Sequence, residues 1–101
     1  MTRPTTEPKF RDRDTERFAN GEHVRRLQGV PLRAAVKALD RLEAATQLFD
    51  LMTPRSNRFE ALKADRKGQY SMRINLQWRV CFEWSDERHE PFNIEIVDYH
   101  D

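Results

Sequence analysis

A lone cysteine among 101 residues, Cys81, leaves the chain without any internal disulfide. Together with His23, His89 and His100 it offers no metal-ligand spacing, and no cofactor is expected. Glycine and proline are sparse, three and five, and they neither cluster nor recur, so nothing resembles a linker, a repeat or a low-complexity segment. No apolar run is long enough to span a bilayer, and the N-terminus lacks the form of a signal peptide, so a cytoplasmic protein without membrane association is expected. A dominant charge is missing as well. Lys and Arg number 18 against 17 Asp and Glu, for a net charge of +1, which argues against a protein that coats nucleic acid over its whole surface.

What is present suffices for one modest core. Six Phe, two Trp and two Tyr argue against disorder, although 35% of the residues are charged. The length predicts one domain over residues 9–101, preceded by a flexible tail over 1–8 that carries Pro4, Pro8 and three threonines. An extended stretch is expected at Lys9–Asp14, then a short helix over Thr15–Ala19 stopped by Asn20-Gly21, and a further turn near Val24 and Leu27. A longer amphipathic helix begins at Pro31, with Leu32, Val36, Leu39, Leu42 and Phe49 along one stripe, and Leu48–Thr53 leads to the stop at Pro54. Arg58–Leu62 reads as a short strand and Phe92–Val97 as the last one, its Phe92, Ile94 and Ile96 docking on the core. Helices followed by strands on short connections give an α+β fold, a small antiparallel sheet with two or three helices on one face.

The most informative stretch is Leu62–Trp84. Tyr70, Met72, Ile74, Leu76, Trp78, Val80, Phe82 and Trp84 alternate with Ser71, Arg73, Asn75, Gln77, Arg79, Cys81 and Glu83, the pattern of a hairpin with one buried face. Parity survives the reversal only if the loop is odd, which selects Asn75-Leu76-Gln77 and sets Arg73 opposite Arg79. Two guanidinium groups side by side repel one another, and a phosphate between them relieves that repulsion. Lys63, Arg66 and Lys67 surround Gly68 in a turn where a backbone can approach a polyanion. By parity Arg79 is expected on the solvent side, with pairing to Glu83 or Glu95 as its alternative to phosphate, while Trp78 and Trp84 are core. From Glu83 to Asp101 there are seven acids and one base, Arg88, so the cationic face is local. At the chain end, Asp98-Tyr99-His100 follows the last apolar strand with three side chains able to accept, donate or orient protons.

Several of these stretches together resemble the HigB toxins of type II toxin–antitoxin modules, within the RelE superfamily. LKADRKGQYSMRINLQWRVCFEW carries the resemblance with IEIVDYH at the chain end, RDRDTERFANG near the start, Ala44-Ala45-Thr46, and NRFEALKADRKGQ, so that it covers about Phe10 to His100. It implies a compact antiparallel sheet with helices on one side, and metal-independent cleavage of mRNA in the ribosomal decoding site. It implies active-site positions at Lys63, Arg79, Asp98, Tyr99 and His100, and RNA contacts at Arg66, Lys67 and Arg73. The implied partners are a helix-turn-helix antitoxin of the HigA kind, the ribosome with its mRNA, and operator DNA only through the antitoxin. Two positions depart from the pattern: Glu60 stands where some relatives carry a histidine, and Ala64 where a glycine is more usual.

Metal-free RNA cleavage requires a base for the 2′-hydroxyl, cations for the phosphorane and an acid for the departing 5′-oxygen. Here Arg79 and Lys63 suit the phosphate, His100 is the candidate proton carrier, Tyr99 stacks or orients substrate, and Asp98 orients His100 or closes the fold. If the last strand stays regular, Tyr99 and His100 point to opposite faces. The competing reading is a non-catalytic protein whose basic face holds nucleic acid or an acidic partner segment, acting as a co-repressor with its antitoxin.

Overall fold

The computed structural model describes residues 8–98. Helix α1 spans Arg13–Ala19 and ends where Gly21 takes a left-handed φ of +88°. A 3-10 turn at Arg25–Leu27 leads to α2, Leu32–Ala44. Two more 3-10 turns, Leu48–Leu51 and Arg55–Asn57, precede β1 (Glu60–Ala61), and another, Ala64–Arg66, lies between β1 and β2 (Tyr70–Arg73). Strands β3 (Trp78–Ser85) and β4 (Glu90–Asp98) complete an antiparallel sheet ordered β1-β2-β3-β4. The chain is an α+β fold with its helices packed on one face of that sheet.

The β2–β3 hairpin has the register that parity requires: Met72 opposite Val80 and Arg73 opposite Arg79, with the Ile74 amide donating to the Trp78 carbonyl at 2.9 Å. Met72, Ile74, Trp78, Val80 and Phe82 enter one hydrophobic cluster with Ile94 and Ile96 of β4 and with Phe18, Leu27, Leu42 and Leu51. At β4 the alternation breaks. Two steps along β3, from Cys81 to Glu83, face three steps along β4, from Glu95 to Phe92, and Asn93 at this bulge holds φ at +51°. The inserted residue puts Phe92 opposite Glu83, on the polar parity, so only Ile94 and Ile96 of the expected trio dock on the core.

Helix α2 is also rotated from the expected stripe. Its buried residues are Ala35, Ala38 and Leu42, whereas Leu32 and Val36 are exposed. Leu42 and the half-buried Leu39 of that stripe do pack on the core, so the helix is turned only far enough for Ala35 and Ala38 to let its axis approach the sheet while Leu32 and Val36 are left outward. Phe49, in the 3-10 turn beyond the helix, is exposed too.

The outer edge of β4 is covered by the start of the chain. Asn93 and Ile94 amides donate to the Pro8 and Lys9 carbonyls, and the Arg11 amide donates to the Ile94 carbonyl. One strand step on, the Ile96 amide donates to the buried Thr15 hydroxyl at 3.1 Å, and Arg26 donates to the Ile96 carbonyl at 3.4 Å. Backbone groups that would otherwise be an open template are thus occupied.

Asn57, only 3% exposed, ties α2 to the segment entering the sheet. Its amide nitrogen donates to the Leu51 carbonyl at 3.0 Å and the Thr53 carbonyl at 3.4 Å, and its oxygen accepts from Arg41. Asn57→Ala leaves those carbonyls without their donor, so chemical denaturation is expected to show a loss of about 1–3 kcal/mol at unchanged m-value.

Candidate functional site

The face of the sheet away from the helices is built in two rows. Pairing aligns Glu60, Ser71, Cys81 and Glu95 across the four strands, and beside them Arg73, Arg79 and Val97 across β2 to β4. Arg79 is the centre of this face, and it is buried. Its Nε donates to Ser71 Oγ at 2.9 Å and a terminal nitrogen donates to the Arg58 carbonyl at 2.6 Å, while Glu60 stands 3.9 Å away. The sequence expectation of a solvent-side Arg79 is therefore corrected. Side-chain alternation fixes its face, but the length of arginine lets the guanidinium lie along the sheet, where a neighbouring strand and the Arg58 turn supply acceptors.

The Arg58 carbonyl reaches that position because Arg58 is left-handed, with φ 48° and ψ 48°. Next to it, Phe59 stacks on Tyr70 with ring centroids 5.4 Å apart, and so pins the two-residue β1 to the sheet. Beyond β1 the chain turns through Ala64, whose φ is +53°. This turn and β1 line an open cleft of about 520 Å³, with Glu60, Lys63, Asp65 and Arg66 on its walls.

The expected cations differ in how far they are committed. Lys63 and Lys67 are exposed and Arg73 is half-buried, and none of their three side chains has a hydrogen bond or ion pair with the described residues. Arg66 is engaged: it donates to Gln69 Oε1 at 2.9 Å and to Glu95 Oε1 at 3.2 Å. Arg11 approaches the same Glu95 oxygen at 3.6 Å. The pairing with Glu95 expected as the alternative for Arg79 thus falls to Arg66. Cys81 lies beneath this group, fully buried; burial pushes its thiol pKa up, with Arg66 pulling against it.

Asp98 opposes Trp78, one residue out of phase with Arg79, and accepts from Gln77 Nε2 at 3.1 Å. Tyr99 and His100 lie outside the described residues. Sequence reasoning missed Ser71 and the Arg58 carbonyl, and it gave Glu95 to Arg79 where the structure gives it to Arg66. For Ser71 the signal was available, because the hairpin register puts it beside Arg79. The carbonyl depends on a left-handed arginine that no local pattern announces.

Burial gives Arg79 a structural share. Arg79→Ala removes the donors to Ser71 and to the Arg58 carbonyl and is expected to cost about 1–3 kcal/mol, while Arg73→Ala stays within about 0.5 kcal/mol of the parent in the same denaturant titration.

Residues 8–100 match the family described as the RelE-like toxin of the type II toxin–antitoxin system HigB. The chain is also similar to Toxin HigB-1 of Vibrio cholerae serotype O1, 37% identical over 79 residues that cover 77% of this chain and 83% of that protein. A family match over nearly the whole chain, joined to an α+β fold with a cationic sheet face, places the protein: it belongs to the HigB-like family of type II toxin–antitoxin toxins.

Proposed function

We propose that this toxin is a ribosome-dependent endoribonuclease that cleaves mRNA in the decoding site without a metal and so inhibits translation. The observation that carries the reading is the juxtaposition of Arg79 and Arg73 on one face, beside an open cleft that carries Lys63. Guanidinium groups in a fixed position bind phosphate bidentately, and a phosphorane gains more from them than the ground-state diester does because its charge is larger. Ser71 and the Arg58 carbonyl hold Arg79 in place before substrate arrives, so little reorganisation accompanies the reaction.

Roles follow from chemistry. Arg79, Arg73 and Lys63 take the scissile phosphate, and Lys67 and Arg66 take flanking phosphates, Arg66 while still joined to Glu95. His100 carries a proton, Asp98 orients it, and Tyr99 stacks on or orients a base. A type II toxin is paired with an antitoxin; here we propose a HigA-like helix-turn-helix protein, through which alone the complex reaches operator DNA. The ribosome is required because the cleft is open and shallow, so a second surface has to hold the RNA in line.

Purified chain added to programmed ribosomes is expected to cut the bound mRNA in the presence of a chelator, with little action on the same RNA free in solution; intact ribosome-bound mRNA would reject the reading. Lys63→Ala and Arg73→Ala are each expected to slow single-turnover cleavage roughly 10²–10³-fold, on the scale of losing one transition-state donor, with unchanged melting temperature. His100→Gln is expected to slow it roughly 10²–10⁴-fold while ribosome binding, measured by co-sedimentation, persists.

A further inference from the structure

Helix α2 presents a line of cations on the side away from the sheet. Ala35, Ala38 and Leu42 are its buried residues, and at about 100° per residue Arg33 and Lys37 fall on the opposite side, with Arg41 one further turn on. Steps of four residues carry the line around the helix until Arg41 donates to the buried Asn57. Asn57 ends the 3-10 turn that carries Arg55, and Arg58 follows it. The carbonyl of that same Arg58 holds Arg79, so the line leads from α2 to the polar face of the sheet. The fold leaves these charges unanswered. Arg33, Lys37, Arg55 and Arg58 are exposed, and none of their side chains has a hydrogen bond or ion pair with the described residues. Asp40, the acid on this side of the helix, has none either, and Glu43 is taken by Lys9. Within α2 the arrangement works against the helix: like charges four residues apart repel, and the first turn, where the helix dipole favours an acid, holds Arg33 and no acid. A ligand of opposite charge accounts for a pattern that weakens its own helix.

We infer that Arg33, Lys37, Arg41, Arg55 and Arg58 form a docking track for the phosphate backbone of ribosomal RNA, which rests on the ribosome-dependent reading above. Arg41 keeps further N–H donors beside its bond to Asn57. Cations about 5–6 Å apart along a helix match a ligand whose charge recurs at every nucleotide, whereas a protein partner anchors on apolar side chains. Leu32 and Val36, the exposed apolar residues of α2, lie on a neighbouring stripe. The track binds and does not cleave. Its contacts are to phosphate, independent of RNA sequence and sensitive to salt, and they hold the toxin on the ribosome while the polar face of the sheet meets the mRNA.

The test is co-sedimentation of the full chain with mRNA-programmed ribosomes across salt concentration, for the wild type, Lys37→Gln, the double variant Arg33→Gln/Lys37→Gln, and Arg13→Gln. Arg13 is an exposed cation without an ion pair among the described residues, and it stands on α1, which packs beside β4 at the other edge of the sheet. Each lost phosphate contact is expected to reduce the slope of log affinity against log salt by about 1, so the double variant loses about 2 and Lys37→Gln about 1. Arg13→Gln keeps the wild-type slope, and no variant loses melting temperature. Single-turnover cleavage at saturating toxin is expected to keep the wild-type rate in all of them. A wild-type slope in the double variant overturns the track, and so does an equal loss in Lys37→Gln and Arg13→Gln, which reports net charge alone. A double variant that loosens the complex with the antitoxin and keeps its ribosome affinity gives the surface to a protein partner and overturns it too. Binding and cutting fail separately: a wild type that binds with this salt dependence but leaves the mRNA intact removes the ribonuclease reading and supports the track, whereas one that binds no ribosome removes both.

Discussion

A guanidinium that is taken out of water must be given acceptors, and most of the polar face is arranged around that requirement at Arg79. An uncompensated buried cation costs several kcal/mol, enough to remove much of the stability of a domain this size. Ser71 supplies one acceptor because the hairpin register aligns it with the row beside Arg79. The Arg58 carbonyl supplies another because a left-handed residue turns the chain just before β1. The short β1 then has a reason to exist: its two residues carry Glu60 toward the arginine, and Phe59 before them stacks into the aromatic group of Tyr70 and Phe82.

The rest of the charge serves placement more than stability. Lys9 pairs with Glu43, Arg26 with Asp12 and Asp14, and Arg66 and Arg11 with Glu95, each joining segments distant in the fold or in sequence. Ion pairs this exposed contribute about 0–1 kcal/mol apiece. The apolar cluster carries the stability, and the pairs decide which cations remain available to a ligand. With Arg66 engaged by Glu95, the side chains of Lys63, Lys67 and Arg73 are the uncommitted ones among the five cations expected at this site.

Much of this was legible in the sequence. The period-two pattern from Tyr70 to Trp84 contained the hairpin, its odd loop and the Arg73–Arg79 pair, because parity across a reversal admits few registers. The α+β class followed from the order of elements, and the family from motifs along the chain. What parity alone missed was depth. It places a side chain on a face but says nothing of what that side chain reaches, so Arg79 read as solvated. The stripe on α2 held at Leu39 and Leu42 and failed at Leu32 and Val36 for a related reason: size was read as burial, whereas Ala35 and Ala38 make the close approach. Phe92 was lost to a bulge at Asn93, a left-handed residue that shifts everything before it by one.

Ala64 gives the cleft a further property. A left-handed alanine lies about 1–2 kcal/mol above a right-handed one, so the turn that carries Lys63 persists only through its neighbours. Those are short-range bonds: Arg66 to the Lys63 carbonyl, Lys67 to the Ala64 carbonyl, Gln69 to the Arg66 carbonyl, and Leu62 to the Gln69 carbonyl. Loss of any of them releases stored strain, which lowers the free energy of local opening at this lip relative to an unstrained turn. The fold therefore sets an arginine fixed by burial beside a cleft whose lysine stands on a yielding rim, so that one part of this face is rigid and the neighbouring part can adjust.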